Sequence, residues 1–287
     1  MLHSVNPTDG RLLAEYPPHD AATSRARLDA CAEAFRSWSR TPVETRASVL
    51  RRAASLLRER RDTLARLATL EMGKTIVAAE AEVEKCAWVC EHYASEAATL
   101  LAPEIVRTEA RMSYVRHDPL GVLLAIMPWN FPYWQAFRAA APALVAGDTV
   151  ALKHASNVTG CALAMETLWR DAGLPEHAFT VLLVPGAEAT SLVAHPAVAA
   201  VTLTGSEAAG MAVAETSGRA LKKIVLELGG SDPFLVLADA DVAMAARQAA
   251  VSRTINNGQS CIAAKRFIVD ERVADAFEAG FASALAA

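Results

Sequence analysis

The chain has 287 residues, 53% of them hydrophobic and 21% charged, which is material for one or two sizeable cores and argues against disorder. Lys and Arg number 28 against 32 Asp and Glu, and a net charge of −4 offers no basic field for nucleic acid or an anionic membrane. No apolar run approaches the roughly 18 to 20 residues that cross a bilayer; the opening Met-Leu-His-Ser-Val-Asn-Pro lacks the plan of a secretion signal, so a cytoplasmic location is expected.

Five cysteines, Cys31, Cys86, Cys90, Cys161 and Cys261, are an odd number scattered along the chain and read as reduced thiols, not as a disulfide framework. The first third reads as helical. Thr41-Pro42-Val43-Glu44 has the form of a capping box with proline at the first helical position. Apolar residues at 43, 47, 50, 54, 57 and 64 then step by three and four. One long amphipathic helix ending near Gly73 is expected. Its arginines are interleaved with acidic residues, which makes them a solvated face. A further helix, from about Thr75 to Leu101, carries Cys86 and Cys90 one turn apart, a pair that reads as packing in the absence of companion ligands.

From about residue 112 short apolar runs alternate with helical stretches. Strands are expected at Met112–His117, Val122–Met127, Thr149–Lys153, Thr180–Val184, Ala199–Leu203, Lys223–Leu228, Pro233–Leu237 and Arg266–Val269. Helical patterns at Tyr133–Val145, Asn157–Asp171, Glu188–Ala194, Glu207–Ser217, Val242–Ile255 and Arg272–Ala286 fall between several of them. The alternation implies an α/β fold, a mostly parallel sheet covered by helices, with ligands at the carboxyl ends of its strands.

The common phosphate and hydrolase signatures are missing. There is no Gly-x-Gly-x-x-Gly, and Gly205-Ser206-Glu207-Ala208-Ala209-Gly210-Met211 has P-loop glycine spacing with Met in the lysine position. A strand running into Gly205-Ser206 and a helix still offers an N-terminus on which a pyrophosphate can rest, although a plain strand-turn-helix fits as well. Three other segments carry chemistry at strand or loop ends: Pro128-Trp129-Asn130-Phe131-Pro132, Glu227-Leu228-Gly229-Gly230 and Asn257-Gly258-Gln259-Ser260-Cys261. Together they hold a thiol, a carboxylate and a side-chain amide, the materials of a nucleophile, a base and an oxyanion donor.

These segments, with Lys153 and Thr204-Gly205-Ser206, make the sequence resemble the NAD(P)-dependent aldehyde dehydrogenase superfamily from Val5 to its end. The 34-residue interval from Glu227 to Cys261 is the one that family uses. Ser-Val-Asn-Pro, Leu-Lys-His-Ala-Ser-Asn, Glu-Leu-Gly-Gly-Ser-Asp-Pro-Phe and Cys-Ile-Ala-Ala-Lys-Arg-Phe-Ile are similar to the bacterial succinate-semialdehyde dehydrogenase branch.

The resemblance implies a Rossmann-type NAD(P)-binding domain over residues 1–228, with part of an oligomerisation arm near 105–122, and the beginning of an α/β catalytic domain over 229–287. It implies Cys261 as nucleophile, Asn130 and the Cys261 N–H as oxyanion donors, and Glu227 as the base that activates water. Lys153 is implied at the adenosine ribose, Ser206 and Gly205 at the pyrophosphate, Trp129 and Leu228 in the cofactor wall, and Gly186 beside the adenine. Ser156 stands where many NAD-preferring relatives carry Glu, so NADP is expected to be tolerated. Arg138 matches an arginine that holds a substrate's distal carboxylate; a surface or interface salt bridge is its alternative role.

The expected partner is a small aldehyde, most specifically succinate semialdehyde, with a homo-oligomer in the full-length form. A CoA-acylating relative is disfavoured by Glu227. Family members run on well beyond this chain's last residue, so two further expectations arise. The 287-residue chain is expected to be poorly active, or only to bind nucleotide or a partner, and to expose an apolar face.

Overall fold

A computed structural model describes residues 1–286 and divides into two compact units, Met1–Glu227 and Leu228–Ala287. The larger unit opens with an antiparallel hairpin of β1 (Leu2–Val5) and β2 (Leu12–Tyr16). This corrects the reading of the first third as helical. Asp9-Gly10 lies between the two strands, with Gly10 at φ +73°, and such a turn signal marks hairpins.

Four helices follow: α1 (Ala21–Trp38), α2 (Val43–Glu59), α3 (Arg61–Met72) and α4 (Ile76–Leu100). The expected single helix from 43 to 73 is therefore two. Residues 58–63, Arg-Glu-Arg-Arg-Asp-Thr, contribute nothing apolar to hold a continuous rod against the core, and Arg60 leaves helical geometry while its guanidinium pairs with Asp171 at 2.8 Å. The capping box does not form either. Pro42 occupies the cap position, and the Thr41 hydroxyl donates back to the Ser37 carbonyl. The α3 helix stops at Gly73 in the left-handed region, where an added Cβ would lie 2.8 Å from Pro7, so only glycine fits.

Strands β3 (Glu104–Ile105) and β4 (Tyr114–Val115) form a two-residue antiparallel ladder; the expected strand at Met112–His117 shrinks to its centre. The sheet that organises the unit consists of β5 (Val122–Met127), β6 (Thr149–His154), β7 (Phe179–Val181), β8 (Val198–Thr204) and β9 (Lys223–Glu227), all parallel, in the order β7-β6-β5-β8-β9. Helices α5 (Trp134–Ala146), α6 (Thr159–Asp171), α7 (Ala189–Val193) and α8 (Glu207–Arg219) connect them. Apolar runs fill β5, β6 and β8, as burial of a parallel sheet requires. Cys86 and Cys90 lie fully buried in the core among Ala79, Val83 and Ala87, a packing role. Burial pushes both thiols above the ordinary range and takes Cys31 to about 12.

The smaller unit pairs β10 (Asp232–Val236) in parallel with β11 (Ala264–Val269) and packs α9 (Val242–Thr254) and α10 (Ala274–Ala286) around them. Phe267, Phe277 and Phe281 form its aromatic centre. Among the described residues no helix is long and apolar enough to cross a membrane.

Candidate active site

In the five-stranded sheet the chain builds outward from β5 through β6 to β7, then returns to the other side of β5 for β8 and β9. That reversal places a topological switch point between β5 and β8, where open α/β sheets bind their ligands. The Trp129-Asn130 loop leaves the carboxyl end of β5, and Gly205-Ser206 leaves the carboxyl end of β8, so these two loops flank the switch point. Lys153 and Ser156 at β6, Gly186 after β7 and Glu227 at the end of β9 share the same sheet edge.

The Asn130 loop is fixed by buried groups that sequence reading did not single out. Glu82 on α4 accepts the backbone N–H groups of Tyr133 and Trp134 at 2.8 Å each, serving as a remote cap for the first turn of α5. Its second oxygen is held by the Lys74 ammonium, both side chains being essentially buried. Lys74 also lies 4.4 Å from the centre of the Phe131 ring. On the opposite flank His154 Nε2 donates to the Pro132 carbonyl at 2.7 Å, while Nδ1 accepts from the Ala155 N–H at 2.9 Å. Burial, aided by the neighbouring Lys153 charge, drives His154 down to about 4, against the hydrogen bonds to Pro132 and Met127 that favour its protonated form.

Glu71 performs the same service for α6. It accepts from Gly160 N at 2.9 Å, Cys161 N at 2.8 Å and the Ser4 hydroxyl at 2.7 Å. One signal in the sequence marks both carboxylates: Glu71 follows Ala68, and Glu82 sits among Ala79, Val83 and Cys86, each a charged residue inside an apolar helix stripe. A carboxylate in such a place has a buried partner.

Lys153 is only 6% exposed, and desolvation lowers its pKa. Among the described residues its ammonium has no ion-pair or hydrogen-bond partner, an open demand for an anion or hydroxyl acceptors. Ser206 caps α8, its hydroxyl accepting from Ala209 N at 3.3 Å, and the first turn of that helix is exposed. Gly205 N donates to Glu227 O at 3.0 Å, tying the β8 turn to the end of β9. Ser156 begins a short 3₁₀ turn and Gly186 another.

Arg138, on α5, does not stand free. Its Nη1 lies 3.3 Å from Glu227 Oε1, and its Nη2 donates to Thr204 Oγ1 at 3.3 Å. Its Nε is buried and has no acceptor. The guanidinium therefore keeps one unmet donor while engaging the carboxylate at the end of β9.

In the smaller unit Cys261 is half-buried in the turn between α9 and β11, whereas Cys31, Cys86, Cys90 and Cys161 are fully buried. Asn256, Asn257 and Gly258 precede it at φ +53°, +57° and +73°, a left-handed run that two asparagines and a glycine tolerate better than other residues. Leu228, first residue of this unit, is half-buried.

Comparison with known proteins agrees with this architecture. A probable NADP(+) succinate-semialdehyde dehydrogenase from Synechocystis is 51% identical over 276 residues, 96% of this chain and 61% of its own length. An Escherichia coli succinate semialdehyde dehydrogenase described as using NAD(P)+ is 43% identical, covering 99% of this chain and 62% of its own. The crystal structure of succinic semialdehyde dehydrogenase from Streptococcus pyogenes, in complex with NADP+, superimposes with a TM-score of 0.95 at 33% identity, covering 99% of this chain and 63% of that one. The chain thus spans about three-fifths of the length of these relatives. With residues 1–287 matching the family's profile throughout, the chain belongs to the aldehyde dehydrogenase family.

Proposed function

We propose that this chain carries the nucleotide-binding and thiol chemistry of an NADP- or NAD-dependent oxidation of succinate semialdehyde, or a similar short aldehyde acid, to the carboxylic acid. The observation that carries the reading is the sheet edge at the switch point, where Asn130, Lys153, Ser206 and Glu227 stand at the ends of four parallel strands. The names of the relatives supply the substrate class.

The residues present fit a dinucleotide: the unpartnered Lys153 ammonium suits ribose hydroxyls, and the exposed first turn of α8 with Ser206 suits a pyrophosphate. When bound, the nicotinamide supplies the hydride acceptor. In this reading the Cys261 thiolate adds to the aldehyde carbon, and the Asn130 amide and the Cys261 N–H hold the resulting oxyanion. After oxidation to the thioester, Glu227 takes a proton from water, which attacks and releases the acid and the thiol. Ser156 places no carboxylate against a 2′-phosphate, which favours acceptance of NADP.

The test measures the dissociation constants of NADP+ and NAD+ and the formation of reduced nicotinamide with succinate semialdehyde, for the chain and for Cys261→Ala. Turnover lost in the variant with cofactor binding retained is the expected result for a catalyst. Binding without turnover in either protein supports the nucleotide-binding role instead, and turnover that survives Cys261→Ala overturns the assigned nucleophile.

The half-buried Arg138 guanidinium, standing at the strand ends beside Glu227 and Thr204, supports its assignment to the substrate carboxylate. Arg138→Leu is then expected to raise KM for succinate semialdehyde about tenfold or more, the worth of a charge-assisted pair. KM for an uncharged aldehyde of equal length should stay within about twofold. Equal losses for both aldehydes would assign Arg138 to holding Glu227 alone.

A further inference from the structure

The turn that presents Cys261 is strained on one side and clamped on the other. Left-handed geometry is disfavoured for non-glycine residues, least so for asparagine, and Asn256 and Asn257 occupy it in succession. Such a turn keeps one shape only if neighbouring groups over-determine it. Arg253 donates to the Gly258 carbonyl at 3.4 Å, and Ser252 Oγ accepts from Ala264 N at 3.3 Å.

The clamp on the far side of the thiol is the ammonium of Lys265, second residue of β11. It donates to the Cys261 carbonyl at 2.8 Å and to the Gly230 carbonyl at 2.6 Å. Its neighbour Arg266 donates through Nε to the Ser231 carbonyl at 3.0 Å. A Cβ on Gly230 would come within 3.6 Å of the Cys261 carbonyl, so the two backbones run close together. Two consecutive basic side chains thus stitch the Gly230-Ser231 loop to the strand that leaves the cysteine, and one of them grips the cysteine's own peptide group.

We infer that Lys265 is a positioning residue for Cys261: by joining the Cys261 and Gly230 carbonyls it fixes the turn that presents the thiol. The inference rests on the proposed nucleophile for its catalytic meaning, but its geometry stands by itself.

The four other cysteines are fully buried, so Cys261 is the one described thiol that iodoacetamide reaches directly. Its alkylation rate at fixed pH, followed by mass spectrometry, reads presentation of the thiol without requiring turnover. Lys265→Met, which removes both carbonyl contacts, is expected to slow alkylation at fixed pH about threefold, the worth of roughly one net hydrogen bond. Lys265→Arg, which keeps the donors, should restore the native rate. Lys265→Gln, a shorter donor, should retain the folded structure but not the native rate, and serves if the methionine variant does not fold. A Lys265→Met or Lys265→Gln rate equal to the native one overturns the inference, as does an arginine variant as slow as the methionine variant. Failure of the proposed nucleophile would show separately, as turnover that survives Cys261→Ala.

Discussion

Replacing Glu82 with Gln is expected to cost the protein about 3–5 kcal/mol of folding stability, the usual consequence of leaving one buried charge without its partner. The glutamine carboxamide oxygen can still accept the Tyr133 and Trp134 N–H groups that Glu82 Oε1 holds at 2.8 Å, so the loss isolates the charge of the Lys74–Glu82 pair from the capping of α5. Lys74→Met should cost a similar amount for the mirror-image reason. The double variant Lys74→Met/Glu82→Gln, with no charge left to solvate, should recover at least half of the summed loss. Urea unfolding of the four proteins measures this cycle. Additive losses would mean that the two side chains do not depend on each other. Because Lys74 also faces the Phe131 ring, the same substitutions should loosen the loop that carries Asn130.

The second large effect is a pH dependence centred on His154. Its folded pKa of about 4 lies below the ordinary 6.5, so between those values the unfolded chain binds a proton that the native ring refuses. Stability from this residue is therefore complete above about pH 6.5 and is lost as pH falls toward 4. The loss amounts to roughly 3 kcal/mol, about 1.4 kcal/mol for each unit between the two values. In His154→Gln this component disappears. The stability gap between native and variant proteins, measured by urea unfolding at a series of pH values, should shrink by about that amount from pH 7 to pH 4. A gap that stays constant across the range would show that His154 is protonated at no cost within the fold.

The sheet was largely legible in the sequence. Val122–Met127, Thr149–Lys153 and Ala199–Leu203 are apolar runs with glycine or proline within three residues of at least one end, and their helical intervals force parallel pairing; the observed strands differ from them by a residue or so at either end. The Asn130, Lys153, Ser206 and Glu227 segments could be placed at strand ends for the same reason. What escaped depends on long separations. Glu82 and the amides it caps are 51 and 52 residues apart, Glu71 and Cys161 are 90 apart, and no local periodicity announces such pairs. The split at Arg60 was hidden because the heptad-like spacing from Leu57 to Leu64 bridges a stretch with nothing to bury. The meeting of Arg138 with Glu227 likewise depends on α5 and β9 reaching the same sheet edge, which only the topology reveals.

The Glu71 cap sets a schedule for synthesis. The carboxylate emerges from the ribosome among the first helices, yet the N–H groups it serves belong to Gly160 and Cys161, 89 and 90 residues later. At about 5–20 residues per second the acid, which has the earlier Ser4 hydroxyl available, waits on the order of 5–20 s for these two amides. During that interval α2, α3 and α4 have each other to pack against, but the stripe of α3 bearing Glu71 has to remain hydrated until β6 and the first turn of α6 arrive. The nascent helical layer is thus obliged to stay loose on one side, and that side closes only when the middle of the sheet has been made.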